Sequence, residues 1–284
     1  MHIVSHFVAA PWVCMPAYLI GWAFAAHSSG WLTQSHMQAS ATFFENSEFN
    51  GTTLLIVIVV VTVLLVVGAL SAKKRREGLQ KVSVEMGYTL DRNGDNFSLE
   101  LNQQLHLLQL GNSNRVYNVL RGSGPSGEIV LFEFEYSEKG AYNAQMGTQI
   151  ETKHHQTVAA FKLPGANIPY FHLASKHWWH KAAKVFGFQT ITFETHPQFG
   201  ERYLLRGSNE GDIRKFFRPS LLEYLQSLAE KPDWSVEAAP PWLVVYQAGN
   251  RPKPEEIPSF RDAALNIASN VMAGVEMRRA AQAG

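Results

Sequence analysis

The chain has one cysteine in 284 residues, Cys14. That excludes an internal disulfide framework, a cysteine-based zinc finger and a paired-thiol redox motif. Fixed positive charge is missing from the first quarter. No lysine or arginine precedes Lys73, and the only acids before it are Glu45 and Glu48. Over the whole chain 25 Lys+Arg stand against 24 Asp+Glu. No basic excess marks a nucleic-acid partner, and none is expected. The phosphate loop G-x-x-x-x-G-K-[ST], a G-x-G-x-x-G turn between strand and helix, the zinc motif H-E-x-x-H and the nucleophile elbow G-x-S-x-G are all absent. With 46% hydrophobic and 17% charged residues, the composition is not that of a disordered chain.

The strongest positive feature is the run Leu54–Leu70, LLIVIVVVTVLLVVGAL, inside an uncharged stretch from Thr52 to Ala72. As a helix this stretch is roughly 31 Å long, which matches a bilayer core of about 30 Å. Lipid cannot satisfy a bare backbone, so a helix is predicted despite the β-branched residues. Lys73, Lys74, Arg75 and Arg76 follow at once. By the positive-inside rule this cluster sets the membrane orientation and places everything after Ala72 in the cytoplasm.

Residues 1–26 are a candidate first transmembrane helix, apolar but interrupted by His6, Pro11 and Pro16. They lack the positive n-region of a signal peptide. If they span, residues 27–51 form a short extracytoplasmic segment. If translation starts instead at Met37, a short acidic outer tail precedes a single crossing. Either way 52–72 is a transmembrane helix, 73–90 a basic juxtamembrane connector and 91–284 the cytosolic domain.

That domain reads as strands at Val116–Arg121, Glu128–Tyr136 and Thr157–Leu163, joined by connections too short for crossover helices. A short helix is predicted over Lys176–Phe186, then strands at Thr190–Thr195 and Tyr203–Arg206. A helix over Gly211–Ala229 is interrupted at Pro219. A hairpin at Ser235–Glu237 and Trp242–Tyr246 follows, and a C-terminal helix over Ser259–Met277. The expected fold class is α+β, an antiparallel sheet with flanking helices. It forms one domain or two closely joined lobes, with Leu173–His177 as the seam.

The VYNVLRG stretch Val116–Gly122, LFEFEY at Leu131–Tyr136 and TVAAFKLP at Thr157–Pro164 carry a resemblance. It continues through Tyr170, Phe171 and Leu173, FGFQTITFETHPQF at Phe186–Phe199, Tyr203–Gly207 and Asp212–Phe217. Together these resemble an uncharacterised family of bacterial membrane-anchored proteins with a cytosolic α+β domain. The resemblance implies the architecture and a bacterial inner-membrane setting, and it transfers no activity.

Among the histidines, His172, His177 and His180 are the candidates for a metal, the last two sharing a helical face. Trp178 and Trp179 between them point instead to packing or to an interface, and no metal or cofactor is expected. His154 and His155 are adjacent, so on a strand they face opposite ways. Glu133 and Glu135 share a strand face and could form an acid/base pair with Glu194 or His196, although solvated carboxylates give the same pattern. Trp178, Trp179 and Trp242 would suit an interface or a core. The reading is a non-enzymatic binding or scaffold module at the cytoplasmic face of the inner membrane, its partners the lipid bilayer and another protein. The alternative is a membrane-proximal, hydrolase-like enzyme using His/Glu chemistry, metal-assisted or not.

Overall fold

The computed structural model describes residues 51–283 apart from 102, 125–126, 144–146, 177–189 and 229–232. The expectations for the stretch before Gly51, and for His177, Trp178, Trp179 and His180, lie outside the described residues. The chain divides into two units, the first ending at Gly68 and the second running Ala69–Gly284.

Helix α1, Gly51–Glu85, is unbroken through the uncharged stretch and the basic cluster. An 18-residue window in it has a mean hydropathy of 3.2, and none of that window is buried in the molecule. Length and composition suffice to cross a membrane. The character of the helix then changes. Leu79 and Val82 are buried in the core of the Ala69–Gly284 unit, so the stretch 73–90 packs as part of that unit rather than only leading into it.

Eight strands form one antiparallel sheet: β1 Thr89–Asp91, β2 Ser113–Gly124, β3 Gly127–Asn143, β4 Thr148–Lys162, β5 Phe171–Ser175, β6 Tyr203–Gly207, β7 Trp234–Ala239 and β8 Trp242–Gln247. The expected meander is β2–β3–β4. β8 pairs back on β4, so the order is β1-β2-β3-β4-β8-β7-β5-β6 and the sheet is continuous. Thr190–Thr195 is not a strand among the described residues; Thr190 makes a single bridge to Arg206.

The sheet is covered unequally. One face carries Leu131, Ala159, Leu173, Leu205 and Val245 under Leu79 and Val82 at the end of α1, and under α3 (Pro197–Arg202), α4 (Glu210–Phe216), α5 (Pro219–Ser227) and α6 (Ile257–Ala283). The break at Pro219 starts a new helix, because proline fits the first helical position, where its missing N–H is not needed. Asn209 caps α4 by accepting from the Asp212 backbone N–H at 3.2 Å. The other face carries Val130, Phe132, Phe134, Val158, Val244 and Tyr246 beneath a thin cover. That cover consists of α2 (Asp95–Glu100) and a 3-10 turn, His106–Gln109.

Trp242 belongs to this second core. It is buried, its indole N–H donates to the Glu100 carbonyl at 3.0 Å, and Phe97 meets it edge-on at 5.4 Å. It is therefore not an interface residue in this chain.

Candidate functional site

Antiparallel register brings three polar side chains into one row. Arg206 of β6 and Glu237 of β7 both stand opposite His172 of β5, so all three share the thinly covered face. From above, the 3-10 turn lowers His106, whose ring stacks on that of His172 with centroids 4.4 Å apart and planes 19° apart. His106 Nδ1 lies 3.9 Å, and His172 Nε2 3.6 Å, from Glu237 Oε1. One donor atom from each of the three side chains falls within 4.8 Å of the others, and all three residues are buried.

Glu237 is held from two sides. The Tyr246 hydroxyl donates to its Oε1 at 2.6 Å and the Leu107 backbone N–H to its Oε2 at 3.1 Å. Burial nevertheless pushes its carboxyl up to about 7, against those hydrogen bonds. Burial, with Arg206 adding to it, holds His106 down at about 4. His172 is driven well below its ordinary value by burial, then by His106 and Arg206. The result is two neutral imidazoles facing one carboxyl group.

A second polar cluster lies on the opposite face, centred on Glu133. That residue is 2% exposed rather than solvated. Arg75 of α1 donates from Nε to its Oε1 at 2.5 Å, and Arg251 donates to both oxygens at 3.1 and 2.9 Å. Asn118 Nδ2 reaches Oε2 at 2.7 Å. A bulge in β2 makes that last contact available. Asn118 has φ +48 at the register shift between Tyr117 and Leu120, a left-handed conformation that asparagine tolerates better than most residues. Burial raises the Glu133 carboxyl, but Arg251 and Arg75 outweigh it and hold it below its ordinary value.

The expected acid/base partnership is not what these residues make. Glu135 meets Lys153 at 3.2 Å and His155 at 3.4 Å. His196 Nδ1 lies 2.9 Å from its neighbour Thr195. His155 Nδ1 also meets the Tyr117 hydroxyl at 3.2 Å, while His154 stacks on Tyr136 at 4.9 Å, so the adjacent pair does divide between the two faces. Lys73, Lys74 and Arg76 are exposed, whereas Arg75 is not.

Of the three candidate metal ligands, only His172 is among the described residues. Its partners His106 and Glu237 come from positions 66 and 65 residues away. The only sequence signal for them is weak: His106 interrupts the leucines Leu105, Leu107 and Leu108, and Glu237 sits between Val236 and Ala238. An ionisable residue inside an apolar run is one that burial will perturb.

Comparison of the chain with protein-family models, with curated proteins and with solved structures finds no match to any of them.

Proposed function

We propose that this protein is a membrane-anchored, non-enzymatic binding or scaffold module of the bacterial inner membrane, its Ala69–Gly284 unit cytoplasmic. The observation that carries the reading is helix α1. Its apolar part is unburied, while its later turns supply Leu79 and Val82 to the core and Arg75 to Glu133. The turns that follow the apolar part thus belong to the core of the Ala69–Gly284 unit. Along the exposed side of the same turns, Lys73, Arg76, Lys81 and Arg92 line a groove of about 700 Å³ together with Glu77 and Glu85, Lys73 standing 3.9 Å from Glu77 and Lys81 3.8 Å from Glu85. The excess of cations over carboxylates there favours an anionic membrane surface as one partner. The other partner is a protein, for which the Trp178–Trp179 pair is the proposed contact.

A hydrolase needs an acid or base that substrate can reach. Glu133 and Glu237 are both displaced in acid strength, yet both are buried and held by their own side-chain partners, which favours the binding module.

A reporter fused after Gly284, combined with alkaline extraction of membranes, tests the proposal. The expected result is cytoplasmic reporter activity from a chain that stays in the bilayer. Release of the chain into the wash, or reporter activity outside, overturns it. Affinity purification of the wild type alongside Trp178→Ala and Trp179→Ala then tests the protein contact.

A further inference from the structure

We propose that His106, His172 and Glu237 form a buried site for one divalent transition-metal ion of the Zn²⁺ type, which pins the 3-10 turn to the sheet. The donor set is what such an ion takes, two imidazole nitrogens and a carboxylate oxygen. Two features of the geometry argue for it beyond residue type.

First, the donors converge. The nitrogens facing Glu237 Oε1 are already 3.6 and 3.9 Å away. An ion with bonds near 2.0–2.1 Å sets tetrahedral donors about 3.3 Å apart, so closing on the metal requires movements of about an ångström or less. Second, the carboxylate is oriented from outside the triad. The Tyr246 hydroxyl and the Leu107 N–H hold Glu237 in place, in the way outer hydrogen bonds fix a metal-binding group. Arg206 lies at the end of the same cross-strand row and is half-buried.

The ligands come from the 3-10 turn, β5 and β7. Bound metal therefore links the short cover of this face to two strands far away in sequence, with a water completing four-coordination. Of the candidates read from spacing, His172, His177 and His180, this set takes up His172, and its partners His106 and Glu237 are brought to it only by folding.

The test uses the full chain in detergent, stripped with chelator and dialysed against Co²⁺ alone. One Co²⁺ per chain, with the intense visible absorption of a four-coordinate ion and bleaching by Zn²⁺, is the expected result. Glu237→Gln preserves size, and His106→Gln removes one imidazole. Each should weaken Co²⁺ binding at least about tenfold, while His177→Asn/His180→Asn leaves it unchanged. The proposal fails if the wild type binds no stoichiometric Co²⁺. Uptake indifferent to both single variants also overturns it, as does uptake lost only in the His177/His180 variant. Should the single variants not fold, the wild-type spectrum decides, and an all-oxygen six-coordinate ion overturns the site.

Discussion

Arg75 and Glu133, 58 residues apart in sequence, are joined by a hydrogen bond of 2.5 Å from the guanidinium Nε to the carboxylate Oε1. Arg75 Nη1 also donates to the Pro252 carbonyl at 2.9 Å. One of the four basic residues that follow the apolar stretch is thereby taken into the fold. Lys73, Lys74 and Arg76 stay exposed, and the topological role proposed for the cluster falls to them.

The two roles separate by mutation. Glu133→Gln leaves Arg75 and Arg251 facing a neutral amide and should destabilise the chain by about 3 kcal/mol, as expected when a buried ion pair loses one member. Lys74→Ala should change stability by less than about 0.5 kcal/mol, yet weaken orientation when combined with neutral residues at Lys73 and Arg76. Chemical denaturation in detergent reads the first effect, and a C-terminal topology reporter the second. Equal stability losses at Glu133 and Lys74 would mean that the buried cluster is not formed.

Truncation gives an independent check. A fragment starting at Lys73 keeps Arg75, whereas one starting at Gly78 keeps Leu79 and Val82 but loses it. The shorter fragment should be less stable by about 2 kcal/mol, below the cost for a lone buried pair because Arg251 still neutralises Glu133. Identical unfolding midpoints for the two fragments would contradict the clasp.

Acid titration of the same carboxylate has a defined sign. Glu133 is held below its ordinary 4.5 when folded. Its contribution is therefore fully present above about pH 4.5 and is lost as pH falls through the lower folded value. The stability gap between wild type and Glu133→Gln should be widest near neutrality and close below about pH 4.5. A gap independent of pH across that range would show that ionisation of Glu133 contributes nothing.

Phe132 and Phe134 are both fully buried on the thinly covered face, against Phe97 in the case of Phe132. Either change to Ala should cost about 3–5 kcal/mol. Thermal unfolding is the measurement, and an effect near zero would place these rings outside the core.

The strands around β2–β4 and the hairpin β7–β8 were legible because alternation and turn residues are local signals. Val116–Arg121 reads as strand from its own residues, and Pro240–Pro241 marks its turn without reference to the rest of the chain. Thr190–Thr195 misled for the same reason: its β-branched residues favour a strand, but only Thr190 finds a bridging partner, on Arg206. Trp242 was undecidable because an aromatic ring carries no label for core or surface.

What the sequence alone determined is the set of properties carried by composition and short-range periodicity. These are a helix long and apolar enough to cross a bilayer, a basic cluster at its end, and an α+β domain with an antiparallel sheet. Tertiary structure decided which ionisable groups lose their water. In sequence, Glu133 and Glu135 look alike, yet one is sealed between Arg75 and Arg251 while the other stays partly exposed beside Lys153 and His155. His106, His172 and Glu237 share no spacing at all. They meet because β5 pairs with β7 and a 3-10 turn folds over them, and long-range strand pairing of that kind depends on the whole sheet rather than on any neighbouring residue.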